Sequence, residues 1–79
     1  MSAERRSTYV FQSESDYDEF RDAIYYSDDL KDCYYDSNKI YFYGYWGGEY
    51  RIDIYSECPD PVKVASIARE HNGKFVANP

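Results

Sequence analysis

The sequence predicts an α+β fold, a small antiparallel sheet of four or five strands with two helices packed on one face. Three observations carry this. Lys39–Ser56 alternates apolar and polar residues on either side of Gly47-Gly48, as a β-hairpin does. Tyr17, Phe20, Ala23 and Ile24 recur at helical spacing after a serine-rich start. Asp60-Pro61 opens a second helical stripe of Val64, Ile67, Ala68 and His71.

Met1–Arg6 is polar and is expected to be a frayed tail. Ser7–Gln12, STYVFQ, is dense in β-branched and aromatic residues and reads as a first strand. Ser13–Ser15 then starts a helix. Ser15 is the expected N-cap, with Asp18 three residues on and Glu19 beside it to complement the helix dipole. The helix runs about three turns, and Ser27-Asp28-Asp29 ends it or opens a short turn through Leu30. Asp32–Asp36, DCYYD, reads as a short extra strand, a loop, or the start of one long strand running into Tyr45. Ser37-Asn38 is a turn.

In the hairpin, Ile40 and Phe42 alternate with Tyr41, Tyr43 and Tyr45, and Tyr50, Ile52 and Ile54 alternate with Glu49, Arg51, Asp53 and Tyr55. Successive strand residues point to opposite faces. The helices need apolar partners, so the aliphatic set faces them. Tyr41, Tyr43, Tyr45, Arg51, Asp53 and Tyr55 then line the open face. Pro59 and Pro61 end the second arm, and Asp60 caps the second helix. Asn72-Gly73 supplies its C-cap, and Lys74–Ala77 is a last strand. The 79 residues are expected to make one domain over 1–79. The order resembles the ferredoxin-like βαββαβ arrangement, or a variant of it with an extra short strand. That resemblance implies a fold and leaves function open.

Four Val, five Ile and one Leu are few for a core, so the eleven Tyr, four Phe and one Trp must supply much of it. The formal charge is −6, which argues against binding nucleic acid or anionic membranes directly. It is also segregated. Residues 14–36 hold nine acids and two bases, a net of −7, while the rest of the chain sums to +1. Without a run resembling a signal peptide or membrane span, a cytoplasmic protein with two reduced thiols, Cys33 and Cys58, is expected. If the chain is phage-encoded, that cytoplasm is the host's.

No catalytic or cofactor motif appears. His71 is the sole histidine and reads as a capping or core-edge residue. Two distant cysteines with one histidine are not a zinc spacing. Asp28, Asp29, Asp32 and Asp36 lack the glycine and terminal glutamate of a calcium loop. YFYGYW has the composition of an RNA-stacking strand but not its basic start.

The expected function is therefore non-catalytic, without metal or cofactor. The protein is read as a binding or inhibitor protein that occupies a basic, nucleic-acid-binding site on a partner macromolecule. Asp18, Glu19, Asp22, Asp28, Asp29, Asp32 and Asp36 would present the charge. Tyr41, Tyr43, Tyr45, Arg51 and Tyr55 would supply contact area. In size and charge the chain resembles small acidic phage proteins that mimic nucleic acid, anti-CRISPR proteins among them, and acidic immunity proteins against nuclease toxins. Two alternatives stand beside this reading. One is a small-ligand regulatory domain or enzyme of ferredoxin-like fold. The other is a structural subunit that self-associates through its tyrosine face.

Overall fold

Residues 4–76 are described by a computed structural model. The chain runs β1 (Arg5–Phe11), α1 (Glu14–Tyr25), α2 (Lys31–Tyr35), β2 (Ile40–Trp46), β3 (Glu49–Tyr55), α3 (Pro61–Glu70) and β4 (Lys74–Phe75). The sheet is antiparallel throughout, in the order β2-β3-β1-β4. The class is α+β, as the sequence predicts, with three helices in place of two among the described residues. No helix among the described residues is long and apolar enough to cross a membrane.

The first helix begins two residues earlier than the serine pattern suggests. Ser13, in extended conformation, is the N-cap, and its hydroxyl accepts from the Asp16 amide at 3.1 Å. Glu14 and Asp16 are therefore the acids of the first turn. Tyr17, Phe20 and Ile24 are buried. Asp60 caps α3 as expected, accepting from the Lys63 amide at 3.0 Å, with Pro61 in the first turn.

Three further expectations need correction. Residues 31–35 are helical. Leu30 and Cys33 are buried and Tyr34 half-buried, an i, i+3, i+4 set that faces the core only from a helix. Strand alternation would have put Cys33 and Tyr35 on the same side, yet Tyr35 is exposed. The amino-terminal strand begins at Arg5 and so takes in part of the expected tail. It is held there by Ser56, whose amide donates to the Glu4 carbonyl at 2.7 Å. Met1–Ala3 of that tail lie outside the described residues. The last strand is shorter than Lys74–Ala77, although the Val76 amide still donates to the Thr8 carbonyl at 2.9 Å. Ala77 lies outside the described residues.

Tyr9, Phe11, Ile40, Ile52 and Ile54 of the sheet form one core with Tyr17, Phe20 and Ile24 of α1 and Val64 and Ala68 of α3. Leu30, the lone leucine, completes it beside Cys33 and Cys58. Phe11 packs on Phe20 with ring centroids 5.1 Å apart, and Tyr17 stacks on Tyr50 at 5.0 Å. Aromatic pairs of this kind add to simple burial.

A β-bulge between Phe42 and Gly44 interrupts β2. Tyr43 and Gly44 together oppose Arg51, and Gly44 takes a φ of +77°, which a side chain would strain. Beyond the bulge the faces exchange. Tyr45 pairs with Tyr50 and packs against its ring at 5.2 Å, on the helix side. The expected placement of Tyr45 beside Tyr41 and Tyr43 is thus overturned by one inserted residue.

Candidate functional site

On the outer face of the sheet, Tyr41, Tyr43, Arg51 and Tyr55 gather as the alternation predicts. What organises them is Asp53, whose side chain is fully buried in the middle of β3. Thr8, its cross-strand partner on β1, donates to Oδ1 at 2.6 Å, and Tyr43 donates to Oδ2 at 2.7 Å. Tyr55 approaches Oδ2 at 3.4 Å. Arg51 reaches Oδ1 at 3.4 Å, and Arg5 lies 3.6 Å from Oδ2. Burial pushes the carboxyl's pKa up. The Thr8 and Tyr43 hydroxyls and the two guanidinium groups outweigh it and hold the pKa below the ordinary carboxylate value. The same contact raises Tyr43 to about 12, chiefly because its hydroxyl already donates to Asp53.

The Arg51 guanidinium lies 4.8 Å from the centre of the Tyr43 ring, and the Tyr41 and Tyr43 rings are 4.6 Å apart. Much of the polar chemistry of this face is therefore already engaged within the molecule. A carboxylate held ionised in this way is the reverse of the raised acid that general acid catalysis needs near neutral pH.

The helical side differs. Asp18, Glu19 and Asp22 are exposed on α1, Asp28 and Asp29 in the following turn, and Asp32 on α2. Asp36, half-buried, ends α2 and accepts from the Asn38 amide at 2.9 Å. Some of this charge is paired: Asp29 with Lys63 at 3.0 Å, Asp36 with Lys39 at 3.8 Å, and Asp18 with Arg21 at 4.0 Å. Exposed pairs of this kind contribute little to stability. Among the described residues, no three His, Cys, Asp or Glu side chains converge as metal ligands.

Two features escaped the reading of the sequence. Arg21, there a mere base on an acidic helix, lies among three rings. Its Cζ is 5.6 Å from the centre of Tyr17, 5.5 Å from Tyr34 and 5.7 Å from Phe42, and Nη2 donates to the Tyr34 hydroxyl at 3.1 Å. Beside it, Tyr25, Tyr26, Tyr34 and Tyr35 form a continuous aromatic cluster, with Tyr25–Tyr26 at 4.9 Å and Tyr34–Tyr35 at 5.1 Å. The available signal was the pair of Tyr-Tyr doublets flanking the acidic turn. It becomes visible only once residues 31–35 are helical and fold back on α1.

Cys33 and Cys58 are both free and buried. Burial, with the Cys58 thiol beside it, pushes Cys33 up to about 12. The two sulfur groups that lie far apart in sequence are therefore neighbours in the core. His71 occupies the C-cap of α3, with its amide donating to the carbonyls of Ile67 and Ala68.

Comparison with protein-family models, with curated protein sequences and with solved structures finds no match to this chain.

Proposed function

We propose that the protein is a non-catalytic binding protein that uses its acidic helical surface to occupy a basic, nucleic-acid-binding site on a partner macromolecule. The observation that carries this is the division of labour between the two sides. On the sheet face Tyr43, Tyr55 and Arg51 are tied to Asp53, and Tyr41 packs on the Tyr43 ring. Asp18, Glu19, Asp22, Asp28, Asp29 and Asp32 stand exposed on contiguous α1, turn and α2. Side chains on successive helical turns lie about 5–6 Å apart, close to the interval between phosphates along a nucleic-acid strand. An array of this kind steers a basic partner in and competes with its natural polyanion. The reading is one of mimicry, and an inhibitor of a nucleic-acid-binding complex is its natural role.

The test begins with affinity capture from lysate at low and at high salt, with retained proteins identified and then purified. The variant combining Asp18→Asn, Asp22→Asn, Asp28→Asn and Asp29→Asn takes the formal charge from −6 to −2 and leaves Tyr17, Phe20 and Ile24 in place. It should fold, bind the captured partner more weakly through slower association, and show a flatter salt dependence. Nucleic acid should displace the native protein from that partner. Unchanged affinity and salt slope in the variant would refute the proposal. So would loss of binding confined to Arg51→Ala with Tyr43→Ala, which would move the function to the sheet face.

A further inference from the structure

We infer that the cavity between α1 and α2 is a receptor for a single arginine side chain of the partner. The inference rests on the basic-partner reading above and names the contact that would give it chemical selectivity.

The cavity has a volume of about 470 Å³ and is lined by Tyr25, Tyr26, Tyr35, Asp28, Asp32 and Lys31. Its aromatic walls stand steeply to one another. Tyr25 and Tyr26 meet at 85° and Tyr25 and Tyr35 at 66°, with centroids 4.9 and 6.2 Å apart. Tyr26 is 78 % and Tyr35 72 % exposed. Large rings held this open to water, in a molecule short of core material, are not serving the interior. Their faces carry the negative side of the ring quadrupole, which attracts a cation within about 6 Å of the centroid. Asp28 and Asp32 add formal charge at the same place. Lys31 offsets one of the two, so the lining keeps a net negative charge.

The occupant is a guanidinium on two grounds. Carboxylates beside aromatic faces suit a flat cation that stacks and donates from its edge. A quaternary ammonium has no N–H to give, and a lysine ammonium is a compact, strongly hydrated charge. The fold also shows a guanidinium already held among aromatic rings next door. Arg21 sits among Tyr17, Tyr34 and Phe42 at 5.5–5.7 Å, donating to a tyrosine hydroxyl. Tyr34 belongs to both groups, since its ring lies 5.2 Å from Tyr25 and 5.1 Å from Tyr35. The cavity thus offers a partner's arginine aromatic rings and a tyrosine-rich wall of the kind that hold Arg21.

The test compares blocked tetra-arginine and tetra-lysine peptides, equal in charge, by titration calorimetry at low salt. The arginine peptide should bind roughly threefold tighter, the size of an exposed cation–π preference. Amide shifts in the native protein should centre on residues 25–35. Tyr26→Ala combined with Tyr35→Ala removes two exposed rings, so folding should persist. That variant should lose the arginine preference and keep the tetra-lysine affinity. Equal affinity of the two peptides for the native protein would overturn the arginine receptor and leave the charge-based reading standing. So would a preference that survives in the double variant, or amide shifts centred elsewhere. Failure of both peptides to bind would remove both readings together.

Discussion

The Tyr43 hydroxyl donates to the Asp53 carboxylate at 2.7 Å across two neighbouring strands, on the side of the sheet that no helix covers. Alternation from core-facing Phe42 puts Tyr43 on that side. With two residues opposite Arg51, the Tyr43 ring lies over that guanidinium and its hydroxyl reaches past it to Asp53. A buried carboxylate is tolerated because each oxygen has a short hydroxyl donor and two cations stand nearby.

Asp53→Ala should lower stability by about 1–3 kcal/mol, because the buried Thr8 hydroxyl loses its acceptor while Arg5 and Arg51 stay partly hydrated. The folded-state pKa of Asp53 lies below its ordinary 3.8. Its stabilising contribution is therefore complete above that value and disappears as pH falls through the lower, folded-state one. Urea midpoints of the native protein and of Asp53→Asn should differ at neutral pH and converge in acid. A gap that persists at the lowest pH would contradict the assignment.

Tyr43 provides the alkaline counterpart. Its pKa is raised from 10.0 to about 12, so its share of stability is intact below 10.0 and is lost as pH climbs toward 12. Site-resolved carbon NMR of the phenol should show Tyr43 ionising well above its ordinary 10.0. In Asp53→Asn the Tyr43 titration should move back toward 10.0, because the principal cause of the shift has been neutralised.

Period and punctuation made much of this fold legible. The hairpin, both amphipathic helices and the Asp60-Pro61 start are local patterns, and local patterns survive in the structure. The hub at Asp53 is not local. Thr8 lies forty-five residues away in sequence and meets it only through the β1–β3 register. Alternation placed Tyr41, Tyr43, Arg51 and Tyr55 on one face correctly, but Tyr45 depends on whether Gly44 inserts a bulge. The error over residues 31–35 has a similar origin. Tyr-Tyr and Cys favour strands by composition, whereas burial of Leu30, Cys33 and Tyr34 together demands a helix. Of the acidic residues, the exposure of Asp18, Glu19 and Asp22 follows from the helical stripe opposite them.

Gly73→Ala should destabilise the fold by about 1–3 kcal/mol. A β-carbon there would sit 2.7 Å from the Ala68 carbonyl oxygen and 2.9 Å from the Phe11 ring. The carbonyl is fixed by the Gly73 amide donating back to it, also at 2.7 Å, so backbone has to move. Thermal unfolding monitored by circular dichroism checks this, and a midpoint equal to that of the parent would show the turn to be slack.

Alkylation should distinguish folded from unfolded protein sharply. Cys33 is buried and raised to about 12, so little thiolate exists near neutral pH. Iodoacetamide at pH 7.5 should leave both thiols unmodified in buffer and label both in denaturant, as read by intact mass. Rapid labelling of the native protein would mean that the layer over Cys33 and Cys58 opens readily.

The kink at Gly44 also bears on how this molecule survives being crowded among its own copies. β2 is an outer strand, and its sequence IYFYGYW is rich in rings and free of formal charge. A flat strand of that composition is a template on which a second chain can add. The inserted residue breaks the pleat midway. The regular pairs on either side are Ile40–Phe42 and Gly44–Trp46, each shorter than the six or so residues that fibril-forming segments use. The Tyr17 hydroxyl takes the Gly44 amide at 3.1 Å, withdrawing a donor that an incoming strand would otherwise find. The glycine that lets a second residue stand opposite Arg51 thereby makes the margin of the sheet a poor seed for amyloid.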